Sequence, residues 1–249
     1  MAREKTQRLD TLLVSRGLAP DLAKARALVM SGVVVVGESR VDKPGAPVAP
    51  DAAIRMRGRG HPYVSRGALK LLHGLDLFDV SVACRTALDL GASTGGFTQV
   101  LLERGATRVY AVDVGRDQLA WALRSDARVV SLEQTHARDL TPKLIPEPIS
   151  LLVADVSFIS LRQALPPTFA FLAPGADLIL LVKPQFEARA DEVPEGGIVT
   201  DPAVRVRTGA EIASFLADAG FETWPVLDCP VPGATGNVEL LLHARRAAV

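Results

Sequence analysis

The chain has 249 residues, 48% of them hydrophobic and 22% charged, enough for one sizeable core and a small extra module. Its formal net charge is zero, yet residues 1–70 carry 13 Lys or Arg against 6 Asp or Glu, and the remainder carries the opposite excess. Two cysteines exclude a disulfide framework, and the lack of an apolar run of about 18 residues excludes a membrane-spanning helix.

A basic head on an acidic body points to a polyanionic partner at one end, or else to an ordinary solvated surface. The start, MAREKTQR, lacks the apolar stretch of a signal peptide. Cys84 and Cys229 are expected as small buried residues in a reducing, cytoplasmic protein. His61, His73, His136 and His243 are scattered, so no metal site is expected.

In the head, RLDTLLVSRGL sets Leu9, Leu12 and Leu13 on one helical face, and Gly17 can stop that helix. PDLAKARALVMSG predicts a second helix from Asp21 to Gly32. VVVV before Gly37 and the alternating IRMR read as strands. The segment 57–67, with glycines, a proline and three arginines, reads as connecting chain. Domain limits are set at 1–60 for the head, 61–66 for the linker and 67–249 for the body. Ser65 is the expected N-cap of the helix RGALKLLHGL.

From residue 86 the pattern alternates. TALDL, RVYAVDV, RVVSL, ISLLVADV and ADLILLVK read as strands, with helices expected near 96–104, 116–123 and 161–172. The expectation is an α/β, Rossmann-like body with a mostly parallel seven-stranded sheet, beside a small N-terminal α+β domain. A helix near 202–219 precedes FETWPVLD and GNVELLLHA, an antiparallel pair at the end of the sheet.

Gly91, Gly95 and Gly96 sit where the first body strand hands over to a helix, in LDLGASTGGF. Ligands of doubly wound folds bind at such turns, and glycines let them approach the main chain. Tight packing of strand against helix is the alternative. The turn lacks the lysine of GxxxxGK[ST] and the spacing of GxGxxG. S-adenosylmethionine, which has no phosphate, fits better. Asp113, ending VYAVDV, is placed for the ribose hydroxyls of a nucleoside, an arrangement that NAD enzymes share. The antiparallel last strand tilts the choice toward a methyltransferase.

Four charged residues remain: Lys70 on the helix after the linker, Asp155 and Lys183 ending apolar runs, and Glu239 opening the last strand. Each lines a cleft or merely marks the end of an element.

Two resemblances bear on these residues. Arg8-Leu9-Asp10, Ala25 to Leu28, SGVVVVG at 31–37 and Lys43-Pro44-Gly45 resemble the S4 RNA-binding domain. The second helix of the head begins Asp-Leu-Ala-Lys where many relatives have Ser-Arg. On that resemblance, Arg8, Arg16, Lys24, Arg26 and Arg66 are the candidate RNA contacts, through phosphate. Lys70, Asp155, Lys183 and Glu239 resemble the K-D-K-E tetrad of FtsJ-type RNA ribose 2'-O-methyltransferases. YVSRGALKL, LDLGASTGGFTQVLL, DVSFISL, LVKPQFE, GGIVTDP and GNVELLL, in that order, resemble the TlyA family.

The resemblance implies S-adenosylmethionine-dependent 2'-O-methylation of cytidine in ribosomal RNA, with ribosomal subunits as partners. It implies Lys183 as general base, Asp155 as its orienting partner, and Glu239 holding Lys70 or the ribose. It further implies a cofactor wall of Asp89, Gly91, Ser93, Gly95, Gly96 and Phe97, with Asp113 on the cofactor ribose. The polar segment 188–201 reads as a mobile cover. Two other readings stand beside this one: an RNA-binding assembly factor, and the membrane-active haemolysin of a name also used for the family. No amphipathic basic segment supports the latter.

Overall fold

The computed structural model describes residues 6–30, 32–56 and 62–248. The chain divides into two compact units, Met1–Pro62 and Tyr63–Val249.

The first unit holds strand β1 (Gln7–Arg8), helices α1 (Leu9–Ser15) and α2 (Leu22–Met30), and strands β2 (Val34–Val36), β3 (Ser39–Arg40), β4 (Pro47–Val48) and β5 (Ile54–Met56). The helical face expected from the sequence is the buried one: Leu9, Leu12 and Leu13 pack with Ala25, Val29, Val34 and Val48. Asp21 caps α2, accepting the Lys24 N–H at 2.7 Å. β2 lies between β3 and β5, antiparallel to both.

In the second unit, α3 (Gly67–Leu77) comes before the main sheet. Ser65 does not cap it. Arg66 occupies that position in helical geometry without a side-chain cap, and the Ser65 hydroxyl instead lies against Gly96. Residues 57–61 of the expected connection lie outside the described residues. Residues 63–66 belong to the second unit, and the Val64 N–H donates to Gln99 Oε1 at 2.9 Å.

The sheet strands and helices follow in order: β6 (Thr86–Leu90), α4 (Gly96–Glu103), β7 (Arg108–Val112), α5 (Trp121–Arg124), β8 (Val129–Leu132), β9 (Ile149–Ala154), α6 (Leu161–Ala164), β10 (Leu172–Val182), α7 (Pro184–Glu187), α8 (Pro202–Asp218), β11 (Phe221–Thr223), β12 (Leu227–Asp228) and β13 (Leu240–Arg246). The strand order is β11-β13-β10-β9-β6-β7-β8, parallel from β10 to β8 and antiparallel around β13. The sheet has eight strands rather than seven, because the two-residue β12 also pairs with β13. Two apolar layers sandwich it. One holds Leu88, Leu152, Leu178, Leu180 and Ile212; the other holds Ala87, Leu71, Val100, Leu101 and Leu151. Neighbouring strand residues thus point to opposite faces, and both faces are covered, as parallel strands require.

Two helices are shorter than expected. The one near 116–123 starts only at Trp121, because Glu133 accepts the N–H groups of Gln118 and Leu119 at 2.7 and 3.0 Å and holds them outside a helix. The one near 161–172 ends at Ala164, and a 3-10 turn begins at Pro166-Pro167, which lack the N–H donors to continue it. Cys229 is buried, but Cys84 is exposed on a turn with φ 60°.

Candidate active site

The carboxyl ends of β6, β7, β9 and β10 place the residues that matter. Asp89 is fully buried beneath the glycine turn. Its Oδ2 accepts the Thr98 hydroxyl at 2.6 Å, and its Oδ1 has no partner among the described residues. Burial pushes this carboxyl up to about 7; the Asp155 charge adds to the rise and the Thr98 hydrogen bond opposes it. The turn then passes through left-handed geometry at Gly91, Ser93 and Gly95, with φ of 86°, 47° and 97°. Asp113 ties it down: Oδ2 accepts the Ser93 N–H at 2.8 Å and Oδ1 accepts the Gly115 N–H at 2.7 Å.

The glycines meet the second of the two readings, tight packing of strand against helix, while Gly91 and Gly96 also line the first cavity. A Cβ on Gly91 would lie 2.7 Å from the Asp155 carbonyl oxygen, and one on Gly95 would lie 2.3 Å from a methyl of Leu123. On Gly96 it would meet the Ser65 hydroxyl at 2.1 Å. These positions are closed to larger side chains by the protein itself. Phe97 is buried in the core layer behind the turn and also borders the first cavity.

Two cavities flank this turn. The first, about 570 Å³, is lined by Lys70, Lys183, Glu239, Arg66, Gln185 and Phe186 among others. The second, about 510 Å³, is lined by Asp113, Gln118, Thr135 and His136 among others. Gly91, Ser93, Asp155, Ser157 and Phe158 border both.

The four charged residues singled out in the sequence meet at the first cavity as two ion pairs. Lys70 Nζ donates to Glu239 Oε2 at 2.6 Å, both side chains being buried. Lys183 Nζ lies 2.7 Å from Asp155 Oδ1, off the axis of a hydrogen bond, and donates to Ser157 Oγ at 2.7 Å. Ser157 was not anticipated; its neighbour in space is 26 residues away along the chain. Glu239 sits in irregular chain just before β13 rather than in the strand.

Asn237 was also missed. It is buried, accepts the Val199 N–H at 2.9 Å and donates to the Gly197 carbonyl at 2.8 Å. The segment expected as a mobile cover is thereby anchored, and its Val193, Gly196 and Gly197 line the first cavity.

In the first unit, the buried Asp10 gathers two of the expected RNA contacts. Arg8 reaches it at 3.0 and 2.7 Å and Arg26 at 3.2 Å. The Arg8 hydrogen bond holds the Asp10 carboxyl well below the usual range, against the effect of burial. Arg16 donates to the carbonyls of Ala52, at 2.7 Å, and Pro50. Arg8, Arg16, Lys24 and Arg26 are exposed, while Arg66 lines the first cavity. Among the described residues no helix is long and apolar enough to cross a membrane.

Comparison with known proteins bears on both units. The FtsJ-like methyltransferase family matches residues 63–246, and the S4 domain matches residues 7–54. The chain is 46% identical, over 96% of its length and 85% of the relative's, to YqxC of Bacillus subtilis, which carries a provisional rRNA methyltransferase name. It is 45% identical to the 16S/23S rRNA (cytidine-2'-O)-methyltransferase TlyA of Mycobacterium tuberculosis, over 96% and 89% of the two chains. A solved structure from Streptococcus thermophilus, under a provisional hemolysin name, superposes with a TM-score of 0.74 at 39% identity, covering 98% of this chain and 90% of its own.

Proposed function

Because the chain belongs to the FtsJ-like methyltransferase family, with an S4 domain ahead of the methyltransferase domain, we propose that it methylates the ribose 2'-hydroxyl of a cytidine in ribosomal RNA, using S-adenosylmethionine. The observation that carries this reading is the meeting of two Lys–carboxylate pairs, one buried and one with a half-buried carboxylate, at one cavity, across a shared wall from a second cavity.

The second cavity suits the cofactor. Its size falls in the usual small-molecule range of about 300–1,000 Å³. Each Asp113 oxygen accepts one backbone N–H and keeps a second lone pair for a ribose hydroxyl. When bound, the cofactor supplies a methyl group on a sulfonium centre for in-line transfer to oxygen. Asp89, Gly91, Ser93, Gly95, Gly96 and Phe97 shape the turn beside it.

The first cavity then takes the acceptor ribose. Its hydroxyl is a poor nucleophile until a base removes the proton, and Lys183 Nζ receives it. In the neutral amine form that accepts the proton, Asp155 and Ser157 hold that nitrogen from two sides, leaving its lone pair for a third direction. Lys70 and Glu239 form another wall and orient the ribose. Holding oxygen and methyl carbon in contact supplies much of the remaining acceleration. Arg8, Arg16, Lys24 and Arg26 of the S4 domain, with Arg66, supply phosphate contacts, and ribosomal subunits in the cytoplasm are the partners.

Alkaline hydrolysis tests the site of transfer, because cleavage needs a free 2'-hydroxyl. Labelled methyl from the cofactor should end in alkali-resistant dinucleotides of ribosomal RNA. Label confined to mononucleotides would place the methyl on a base and overturn the reading.

A further inference from the structure

Glu187 closes the sequence LVKPQFE and lines neither of the two cavities at the site. It is nevertheless tied to the loop that carries half of the chemistry. Its Oε2 accepts the Ser160 hydroxyl at 2.6 Å, and its Oε1 accepts the Leu161 N–H at 2.8 Å. Burial raises its carboxyl above the usual range, and among the described residues no Lys or Arg makes an ion pair with it. A half-buried carboxylate that gives up part of its hydration to two neutral donors, with Arg162 near enough only to temper the effect, gains little on its own account, so these two bonds ask for a reason.

The reason lies in what the bonds hold. The loop from Asp155 to Ser160 is attached at its near end by Lys183, through Asp155 and Ser157. Glu187 attaches its far end, from the same short stretch of chain. Between the two attachments sits Phe158, 91% exposed, with a left-handed φ of 63° and its ring 5.2 Å from that of Phe186. A bulky residue keeps such a conformation only when its surroundings impose it. Phe158 and Ser157 border both cavities, so a shift of this loop would disturb the cofactor and acceptor sides together.

We propose that Glu187 is a positioning residue for methyl transfer, locking the Asp155–Ser160 loop to the turn that carries Lys183. This rests on the reading of the site given above. Glu187→Gln keeps the size but offers one acceptor oxygen and presents an NH₂ group to a donor. Ser160→Ala removes one of the two bonds together with the cap that its hydroxyl gives α6 by accepting the Arg162 N–H at 3.1 Å.

The test measures single-turnover methyl transfer to ribosomal RNA at saturating cofactor, melting temperature, and amide hydrogen exchange. For Glu187→Gln the rate should fall by roughly ten- to a hundredfold, the scale of a misplacement of about 1 Å. Exchange should rise across 155–161 but not in α8, with the melting temperature nearly unchanged. Ser160→Ala should show a smaller effect of the same kind, and the double variant should be no worse than Glu187→Gln. A rate within about threefold of the parent, below the scale of such a misplacement, would overturn the proposal. So would a loss of rate that only follows a general loss of protection and melting temperature. An active parent with an unaffected variant overturns this proposal alone; an inactive parent overturns the methyl-transfer reading and this proposal with it.

Discussion

The Lys70–Glu239 pair offers a perturbation in which stability and activity part company. Both residues are buried, at 7% and 3% exposure, and the pair is 2.6 Å apart. Glu239→Ala would strand a buried ammonium, which typically costs about 3–5 kcal/mol. For a chain of this size about 1 kcal/mol moves Tm by about 2–4 °C, so the variant should melt roughly 6–20 °C lower. Replacing both partners, Lys70→Met with Glu239→Met, removes the charge and its desolvation together. Such a swap of a buried pair for apolar groups is often neutral or stabilising, by about 1–4 kcal/mol. The double variant should therefore melt near the parent or above it, yet fail to methylate RNA. Thermal melting read beside single-turnover methylation settles it. A Glu239→Ala protein that melts like the parent would show that the pair is not desolvated. A double variant with full activity would show that these charges serve the fold alone.

Gly95→Ala should lower Tm without cofactor present, since its Cβ meets Leu123 and Leu119 at 2.3 and 2.8 Å and its φ is 97°; an unchanged Tm with lost cofactor affinity in calorimetry would favour ligand clearance over packing at this position. Deleting residues 1–62 should leave cofactor affinity intact and abolish methylation of structured ribosomal RNA, and RNA binding by the full chain should weaken steeply with salt. Equal activity of the two proteins, or a salt-independent affinity, would contradict this. Asp89 is raised in the fold to about 7, from about 3.9 when unfolded, so the fold binds the extra proton between those values and stability falls as pH rises through them. Asp89→Asn should thus be more stable than the parent at pH 8, by on the order of a few kcal/mol and with a correspondingly higher Tm, and gain little near pH 4. Parallel pH curves for the two proteins would refute the buried-carboxyl account.

Much of this arrangement could be read from the order of residues. Apolar runs ending in Asp113, Asp155 and Lys183 announced strands whose carboxyl ends face a site, and those three residues do border the two cavities. What stayed hidden depended on partners far along the chain. Nothing near Glu133 reveals that it withholds the Gln118 and Leu119 N–H groups from a helix. Nothing near Asn237 reveals its two bonds to Gly197 and Val199. Gly95 and Gly96 were visible as obligatory glycines, but the direction of the missing Cβ is a tertiary fact, and it points at Leu123 and Ser65. In the S4 domain the cations were legible, whereas the role of Asp10 as the anchor that Arg8 and Arg26 share was not.

The central claim is ribose methylation with Lys183 as base, and nucleoside mass spectrometry tests it most directly. Ribosomal subunits lacking the modification are incubated with cofactor and either the parent or Lys183→Arg, then digested to nucleosides. Arginine keeps the charge but holds its proton above about pH 12 and cannot accept one from the ribose. The parent should produce 2'-O-methylcytidine, and Lys183→Arg should fold, bind cofactor and slow the transfer by about 10²–10⁴-fold. A base-methylated nucleoside, or a variant within about tenfold of the parent, would contradict the account.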